Sequence, residues 1–317
     1  MKILITGITG MIGKHLADYL ISLGRHEVSG ISRSTSDARY KNYKHYLGDI
    51  LDRNFLRKVW KDFQPQVVYH LAGYAFNGTS WENEDTVYLF NIQGTRNILD
   101  MVKDYSPNAI FIPACSSTEY GFCSISQIPE TAPLNPITPY GVSKVCVENI
   151  CKQYSYNYEL IVIIARLFIH IGINHPPVTA VQNLARQFAM IKLGIGDGIV
   201  RVGNLKNRRD FVDVRDGVEA LYLLQQKGKI REAYNICTGY DYSILDILYM
   251  FSKITGINPE IKTDYNLLRL SDEETLLGDP SKINALGWKA HTPIENTLTD
   301  IYNNWIERLK YKFYHKL

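Results

Sequence analysis

The first half of the chain alternates short runs of apolar, often β-branched residues with longer amphipathic segments. The runs are KILIT, HEVSGIS, QVVYHLA, AIFIPAC and LIVIIAR. Each run is nearly continuous in hydrophobic character, as expected for a strand covered on both faces, and each intervening segment is long enough for a helix. The pattern therefore predicts an α/β fold over residues 1–166, a doubly wound parallel sheet with helices on both faces.

Beyond Arg166 the pattern becomes irregular. It contains the loop GINHPP, the helical segment VQNLARQFAMIKLG, the short run IVRVG and several later helical segments. This organisation predicts a smaller C-terminal α/β lobe over residues 167–317 that completes a cleft, with some of its segments returning to the first domain.

Composition excludes several functions. Hydrophobic residues make up 45% of the 317 residues and charged residues 21%, which is typical of a soluble globular protein. The net charge of +3, without a long basic run, argues against a nucleic-acid partner. No apolar run approaches the length of a membrane span, and the chain opens on a strand pattern instead of a signal peptide. We expect a soluble, cytoplasmic protein with no membrane partner.

Five cysteines occur, at positions 115, 123, 146, 151 and 237. Their number is odd and no pair has CxxC or metal-ligand spacing, so neither a disulfide framework nor a metal site is predicted. A reducing compartment fits this usage.

A glycine-rich loop, GITGMIG, directly follows the first predicted strand and opens a helix that runs to about Gly24. Glycines let the backbone turn tightly and approach a pyrophosphate, whose charge is favoured by the free N–H groups and the dipole of the helix. The loop residues predicted to contact a dinucleotide are Gly7, Thr9, Gly10, Met11, Ile12 and Gly13.

The end of the second strand bears on the choice of cofactor. A carboxylate near position 32 would bind the ribose 2′-hydroxyl of NAD, whereas Ser32 and Arg33 could accommodate the 2′-phosphate of NADP. If Arg33 only stacks over the adenine, the choice stays open.

Tyr140 and Lys144 stand four residues apart in YGVSK, which places both side chains on one face of a helix. A lysine ammonium beside a tyrosine stabilises the phenolate by its charge, and a positive nicotinamide adds to that effect. Tyr140 could then take the proton of a substrate hydroxyl while hydride leaves the same carbon, or act as the acid in the reverse direction.

These motifs resemble those of the extended branch of the short-chain dehydrogenase/reductase (SDR) superfamily. The stretches GDI at 48–50, HLAG at 70–73 and NIQGT at 91–95 also match, and the similarity covers essentially the whole chain. The resemblance implies a Rossmann fold and a homodimer formed through the YxxxK helix, or a higher homo-oligomer. It implies these further cofactor contacts: Asp49, Ile50, Leu71, Ala72, Gly73, Asn91, Tyr140 and Lys144.

The stretch CSSTEYG is implied by the same resemblance to hold the catalytic hydroxyl. Five residues before Gly121 stands Ser116, which would hydrogen-bond the reacting oxygen, and Ser117 is the alternative. Related 4,6-dehydratases carry a catalytic Glu three residues before this glycine, where this chain has Thr118. In a near-extended segment a displacement by one residue turns a side chain to the other face, so Glu119 is expected to miss the sugar unless a local bulge restores it. The resemblance thus implies an oxidoreductase that stops after hydride transfer.

Five stretches of the C-terminal half narrow the resemblance: ARLFIHIG, VQNLARQ, VGNLKNRRDFVDVRD, YNICTG and RLSDEETLLGD. They are similar to the GDP-mannose 4,6-dehydratase and GDP-4-keto-6-deoxymannose reductase group, and also to the GDP-D-glycero-D-manno-heptose 4-dehydrogenases of capsule heptose synthesis. The implied partner is a GDP-sugar. Its implied contacts are Ser80, Ser116, Ser117, Asn183, Arg186, Val202, Arg209, Arg269 and Asp272. For the charged residues Arg186, Arg209, Arg269 and Asp272, the alternative role is a surface salt bridge.

One departure from the family motif suggests an unusual sugar. The motif RxFNHxGPGQ reads RLFIHIGINHP here, so Ile169 replaces an Asn that would donate to the sugar nucleotide. His170 is retained, and a buried structural role is its simpler interpretation. We expect NAD-dependent oxidation of carbon 4 of a GDP-manno-heptose. The alternatives are reduction of GDP-4-keto-6-deoxymannose by NADPH, a 4,6-dehydratase, and a non-catalytic dinucleotide sensor.

Overall fold

The computed structural model describes residues 1–34, 43–268 and 273–314, with side chains described as far as Tyr311. The strands are β1 (Lys2–Thr6), β2 (Glu27–Ser32), β3 (Lys44–Leu47), β4 (Val67–His70), β5 (Ile110–Ser116), β6 (Ile161–Val162), β7 (Ile164–Leu167), β8 (Ile169–Ile171), β9 (Ile199–Val202), β10 (Arg208–Asp213), β11 (Ala233–Ile236), β12 (Asp241–Ser243), β13 (Glu260–Thr263) and β14 (Thr275–Leu276). The α-helices are α1 (Met11–Ser22), α2 (Arg53–Phe63), α3 (Glu84–Tyr88), α4 (Gly94–Tyr105), α5 (Pro139–Asn157), α6 (Ala180–Lys192), α7 (Val214–Lys227), α8 (Ile244–Thr255), α9 (Ser281–Asn284) and α10 (Ile294–Tyr314).

The predicted doubly wound sheet is confirmed. Its described strands run in the order β3-β2-β1-β4-β5-β7-β11, all parallel, and β6 also pairs with β5. Ile5 of β1 lies between Gly30 of β2 and Tyr69 of β4. Because the strand order reverses between β1 and β4, the carboxyl ends of these strands border the crevice in which such sheets bind ligands.

Alternation along the strands divides the apolar core between the two faces of the sheet. Ile3 and Ile5 of β1 pack with α1 and α7 on one face, while Leu4 packs with α2 and α4 on the other. All three side chains are fully buried, and each contributes about 1.5–3 kcal/mol of hydrophobic stabilisation. The sheet is thereby a rigid platform for the loops at its carboxyl edge.

Two elements beyond residue 166 return to the first domain. β11 pairs with β7, and α7 packs on α1, where the rings of Tyr19 and Tyr222 lie 5.7 Å apart. Residues 214–236 therefore complete the first domain and interrupt the lobe. Of the helices formed by the described residues, none has the length and apolar character needed to span a membrane.

The lobe is built around β10 and three helices. β10 pairs with β8 and β14 in parallel and with β12 in antiparallel fashion, while β9 and β13 form a separate parallel pair. Helices α6, α8 and α10 share one apolar cluster, in which the rings of Phe188 and Phe251 stack 5.7 Å apart. This cluster holds α6 and β9 together.

Candidate active site

The glycine loop is shaped for a pyrophosphate. Gly7 has φ +75°, and a Cβ built on it would lie 2.9 Å from the backbone nitrogen of Ala72, so only glycine fits the turn. Gly10 precedes α1 and contributes no side-chain cap, which leaves the first-turn N–H groups of the helix open to an anion. The predicted loop residues therefore fit a dinucleotide.

The end of β2 offers hydroxyl and guanidinium groups to an adenosine ribose. Ser32 Oγ donates to the carbonyl oxygen of Ser34 at 2.7 Å and lies 2.8 Å from His45 Nε2. Burial lowers the pKa of His45, which keeps this imidazole neutral. The guanidinium of Arg33 lies 4.5 Å from the centroid of the Phe90 ring. Neither His45 nor Phe90 was predicted, since each reaches Ser32 or Arg33 only through the fold.

The predicted adenine and pyrophosphate residues lie in the loops after β3 and β4. Asp49 Oδ1 accepts from the backbone N–H of Leu51 at 2.9 Å, and Ile50 is buried. Leu71, Ala72 and Gly73 follow β4, and the N–H of Ala72 donates to Thr6 Oγ1 at 3.2 Å. These contacts fix the loops beside the glycine turn.

Asn91 braces the active-site loop. It lies in a π-helical turn, Leu89–Gln93, a local irregularity often found at functional sites. Its Oδ1 accepts from the N–H of Tyr74 at 2.7 Å, and its Nδ2 donates to Ser143 Oγ at 2.8 Å. The buried amide thus ties the loop after β4 to helix α5.

Helix α5 carries Tyr140 and Lys144 on its first turns. Its start is set by Thr138, whose Oγ1 accepts from the N–H of Gly141 at 3.0 Å, and by Pro139 at the first helical position. Lys144 Nζ donates to the carbonyl oxygen of Ala114 at 2.7 Å and lies 5.6 Å from the centroid of the Tyr140 ring. The helix approaches the turn that follows β5 so closely that a Cβ on Gly141 would lie 2.6 Å from the carbonyl oxygen of Thr118.

Ser116 is set up as a hydrogen-bond donor. Its Oγ accepts from the hydroxyl of Thr118 at 3.0 Å and from the Thr118 N–H at 3.3 Å. A serine hydroxyl has two acceptor lone pairs and one hydrogen. Because Thr118 occupies the lone pairs, the Ser116 hydrogen is left for an incoming oxygen.

The predicted near-extended conformation after Ser116 is wrong. Residues Ser117–Glu119 form a 3₁₀ turn, because Ser116 and Glu119 cap it reciprocally in a capping box. The turn directs the Glu119 carboxyl into the core, where it is fully buried and its Oε1 accepts from the Ser116 N–H at 2.8 Å. Ser117 is also fully buried, so the turn does not expose the alternative hydroxyl.

The buried carboxyls behind this turn are matched to a cation of the protein itself. Cys115, Glu119 and Glu148 each bring one possible metal-ligand atom within 4.8 Å of the others. However, the guanidinium of Arg166 contacts both oxygens of Glu148, at 2.9 and 2.7 Å. The positive charge beside these carboxyl groups is thereby supplied by an arginine. This arrangement does not suit a metal centre.

A pocket of about 370 Å³ lies between α6 and the pair β9 and β13, where the nucleotide was predicted. Asn183 and Arg186 line it, and Arg186 Nη2 donates to Asn183 Oδ1 at 3.3 Å. Arg186 Nε is buried and has no hydrogen-bond partner among the described residues. The guanidinium of Arg186, which lines the pocket, suits an anionic ligand.

Val202 on β9 was predicted to contact the sugar nucleotide, but the residue before it on the strand is the one that lines the pocket. The Val202 side chain packs into the apolar cluster of the lobe, while Arg201, one residue earlier, lines the pocket. Gln187 and Asp264 also line it. Alternation along IVRV could have identified Arg201, since successive strand residues face opposite sides.

Other predicted substrate residues are less open. Ser80 is fully buried and donates to the carbonyl oxygen of Asn77 at 2.8 Å, so its hydrogen is not directed to a ligand. Arg209 donates to the carbonyl oxygen of Glu273 at 2.8 Å and pairs with its carboxylate at 3.3 Å. The diphosphate contact of Arg209 stays a prediction, and Arg269 and Asp272 lie outside the described residues.

His170 has the surroundings of a structural residue. Its Nδ1 lies 2.9 Å from the carbonyl oxygen of Phe168, and burial lowers its pKa. The ring packs so tightly on α7 that a Cβ on Gly217 would lie 2.2 Å from His170 Nε2. Ile169, the departure from the motif, pairs with Phe211 of β10 beside it.

Comparison with known proteins gives concordant results. The sequence profile of the family described as GDP-mannose 4,6 dehydratase matches residues 4–301. A GDP-6-deoxy-D-mannose reductase of Pseudomonas aeruginosa is 28% identical over 313 residues, covering 98% of each chain. A GDP-6-deoxy-D-talose 4-dehydrogenase of Aggregatibacter actinomycetemcomitans is 30% identical over 308 residues, covering 96% of this chain and 98% of the relative. The solved structure of RMD from Pseudomonas aeruginosa complexed with NADPH superposes with a TM-score of 0.85 at 27% identity, covering 97% and 99% of the chains.

Proposed function

Because this chain belongs to the GDP-mannose 4,6-dehydratase family, we propose that it is a GDP-sugar 4-oxidoreductase that transfers hydride at carbon 4 without dehydration. The preferred substrate is a GDP-manno-heptose, which is oxidised to the 4-keto sugar during synthesis of a surface polysaccharide. NAD is the preferred acceptor, since cells keep it mostly oxidised.

The broader activity class follows from the family. The chain is an NAD(P)-dependent enzyme of the extended SDR class, and similar solved structures carry NADPH or NAD. The nicotinamide ring, when bound, accepts or donates the hydride. The remaining chemistry is supplied by side chains of this protein.

Three side chains are proposed to act on the carbinol at carbon 4. Tyr140 takes the hydroxyl proton, and the ammonium of Lys144, 5.6 Å from the tyrosine ring, stabilises the phenolate that forms. Ser116 donates its free hydroxyl hydrogen to the reacting oxygen. Because the N–H and hydroxyl of Thr118 occupy the lone pairs of Ser116 Oγ, the serine hydrogen stays free to be donated to this oxygen.

The orientation of Glu119 is the observation that supports hydride transfer without dehydration. Elimination of water needs a base beside carbon 5, and the motif position for it holds Thr118, whose hydroxyl is bound to Ser116. The carboxyl of Glu119 is fully buried on the core side of the turn. The CSSTEYG stretch therefore offers no carboxylate to the sugar.

A second candidate function is reduction of a GDP-4-keto-6-deoxymannose by NADPH. The observation that favours it is the end of β2, where Ser32 and Arg33 stand at the position of a carboxylate. The 28% identical relative named as a reductase and the neighbour solved with NADPH support the same reading. Ile169, which stands where the family motif has Asn, favours the heptose instead.

The test is incubation of the purified protein with GDP-mannose, GDP-manno-heptose or GDP-4-keto-6-deoxymannose, each with both cofactors. Nicotinamide absorbance and product mass are recorded, with Tyr140→Phe as the inactive control. Loss of two hydrogens from the heptose supports the proposal. Loss of water would replace it with a dehydratase, and gain of two hydrogens by the keto sugar alone would replace it with the reductase.

We also propose a homodimer that forms through α5. Val142 on this helix is 38% exposed, and Val145, Cys146 and Ile150 are half-buried, so an apolar strip is open to a second copy. Sedimentation velocity of wild type and of Val142→Glu tests the contact. A dimer in which Val142→Glu has no effect would exclude this helix.

A further inference from the structure

Glu119 takes no part in the proposed chemistry, yet it is fully buried beneath the residues that do. Its Oε1 accepts from the N–H of Ser116 at 2.8 Å, and Ser116 Oγ accepts in turn from the N–H of Thr118. This reciprocal capping fixes the backbone on both sides of the catalytic hydroxyl. The geometry of that hydroxyl therefore depends on the Glu119 carboxyl.

The surroundings of the second Glu119 oxygen favour the neutral form of this carboxyl. Oε2 is buried and lies 3.8 Å from Arg166 Nε, while Arg166 makes its short bonds to Glu148. Glu148 also accepts a hydrogen bond from Lys152 Nζ at 2.6 Å. Two carboxylates this close to one guanidinium cannot both stay ionised at low cost. Because Glu148 has the short cationic contacts, this arrangement favours an ionised Glu148 and a neutral Glu119.

The directions in which the pKa values of Glu119 and Glu148 are shifted agree with this geometry. Burial, followed by the nearby charge of Glu148, raises the pKa of Glu119 to about 8. The pKa of Glu148 is held low, near 2, because the Arg166 and Lys152 hydrogen bonds outweigh its burial. The titratable groups that act on or with Glu119 are Cys115, Glu148, Cys151 and Arg166. Behind them, Tyr120 contacts Arg166, Lys152 contacts Glu148, and Lys144 acts on the two thiols.

We propose that Glu119 is a positioning residue, a neutral buried acid that holds the Ser116 turn so that the serine hydroxyl points at the reacting oxygen. The role rests on the proposed function, which makes Ser116 the donor. A neutral acid has a neutral isostere, so Gln is expected to replace Glu119, whereas an apolar residue of similar size is not.

The first experiment measures the turn directly and needs no substrate. Amide hydrogen exchange is followed by mass spectrometry over residues 110–121 in wild type, Glu119→Met and Glu119→Gln. Met fills the volume without accepting the Ser116 N–H, so exchange of that amide should be at least about tenfold faster. Gln keeps the acceptor and should keep the protection. Unchanged exchange in Glu119→Met, or lost protection in Glu119→Gln, would overturn the assignment.

The second experiment measures kcat and KM for the GDP-sugar. Misplacement of a catalytic group by a fraction of an ångström to one ångström lowers kcat by roughly tenfold to a hundredfold. Glu119→Met should show this loss with KM changed less than about threefold, and Glu119→Gln should recover kcat to within about threefold of wild type. A loss confined to KM would contradict a role in positioning Ser116.

A matched control separates positioning from general damage to the core. Asp216, on α7, is another buried carboxylate that accepts two backbone N–H groups, from His291 at 3.0 Å and Thr292 at 2.9 Å. Asp216→Ala should lower the unfolding midpoint and leave kcat within about twofold. An equal fall of kcat in both variants would overturn the proposal.

The two experiments also distinguish failure of the inference from failure of the proposed function. If wild type transfers no hydride with any GDP-sugar, the function fails, and the exchange data still decide whether Glu119 holds the turn. If wild type is active and Glu119→Met is equally active, the inference alone fails. Should Glu119→Met not fold, the exchange and kinetics of Glu119→Gln still provide the contradicting outcome.

Discussion

The guanidinium of Arg33 lies over the ring of Phe90, with 4.5 Å between Cζ and the ring centroid. Cation–π contact of this kind holds an arginine in place while its N–H groups stay free to bind an anion. Arg33 is therefore preset at the end of β2, where the adenosine ribose of a dinucleotide binds.

This contact leads to a prediction on cofactor choice. Arg33→Ala should raise KM for NADP by about tenfold or more, because a charge-assisted hydrogen bond to the 2′-phosphate is lost, and change KM for NAD less than about threefold. Steady-state kinetics with both cofactors measure the difference. Arg231→Ala, which removes an arginine stacked on Tyr156 far from the site, is the control. Equal losses for both cofactors would exclude a 2′-phosphate contact.

The hydroxyl of Thr118 orients Ser116, and its removal has a predictable cost. Thr118→Val deletes one neutral hydrogen bond of about 1 kcal/mol, so kcat should fall about fivefold at unchanged KM. Ser116→Ala removes the donor itself and should cost about a hundredfold. Single-turnover hydride transfer measures both. Thr255→Val, which deletes a comparable bond to Phe251, is the control and should be fully active.

The position of Arg186 in the pocket lining predicts an effect on nucleotide affinity alone. Arg186→Ala should weaken binding of GDP by roughly tenfold to a hundredfold, since a guanidinium that lines the pocket is lost. Titration calorimetry with GDP measures it, and Lys192→Ala on the same helix is the control. Retention of full affinity in Arg186→Ala would place the nucleotide elsewhere.

Asp210 predicts a pH dependence of stability. Burial raises its pKa to about 6, although its carboxylate accepts from Thr238 and Gly239. A carboxyl with a raised pKa in the folded state stabilises the fold fully below its unfolded value of 3.8, and this contribution is lost as pH rises through 6. Relative to Asp210→Asn, wild type should lose about 2 kcal/mol of unfolding free energy between pH 4.5 and pH 7.

Urea unfolding at the two pH values measures that difference. Asp246→Asn is the control of opposite sign, because hydrogen bonds from Ser243 lower the pKa of Asp246 and its contribution is lost as pH falls. A pH-independent difference between wild type and Asp210→Asn would show that Asp210 ionises normally.

Much of the first domain could be predicted because its signals are local. Continuous apolar runs identified β1, β2, β4 and β5 within one or two residues, and the spacing of glycines identified the loop before α1. By contrast, β3 has half-exposed residues without alternation, so its strand character arises from pairing with β2. Likewise, no local sequence pattern indicated that α7 and β11 are the segments that return to the first domain.

The same division applies to the site. The sequence by itself was enough to propose the catalytic residues, since Tyr140 and Lys144 stand at helical spacing in YGVSK and Ser116 follows from the resemblance of CSSTEYG to the family motif. Only the tertiary structure decided how they are held. The Glu119 carboxyl turns inward because a 3₁₀ turn caps Ser116, and Arg201 and Asp264, 63 positions apart in the chain, meet in one pocket because β9 pairs with β13. Such contacts depend on long-range pairing and burial, which no local pattern of residues encodes.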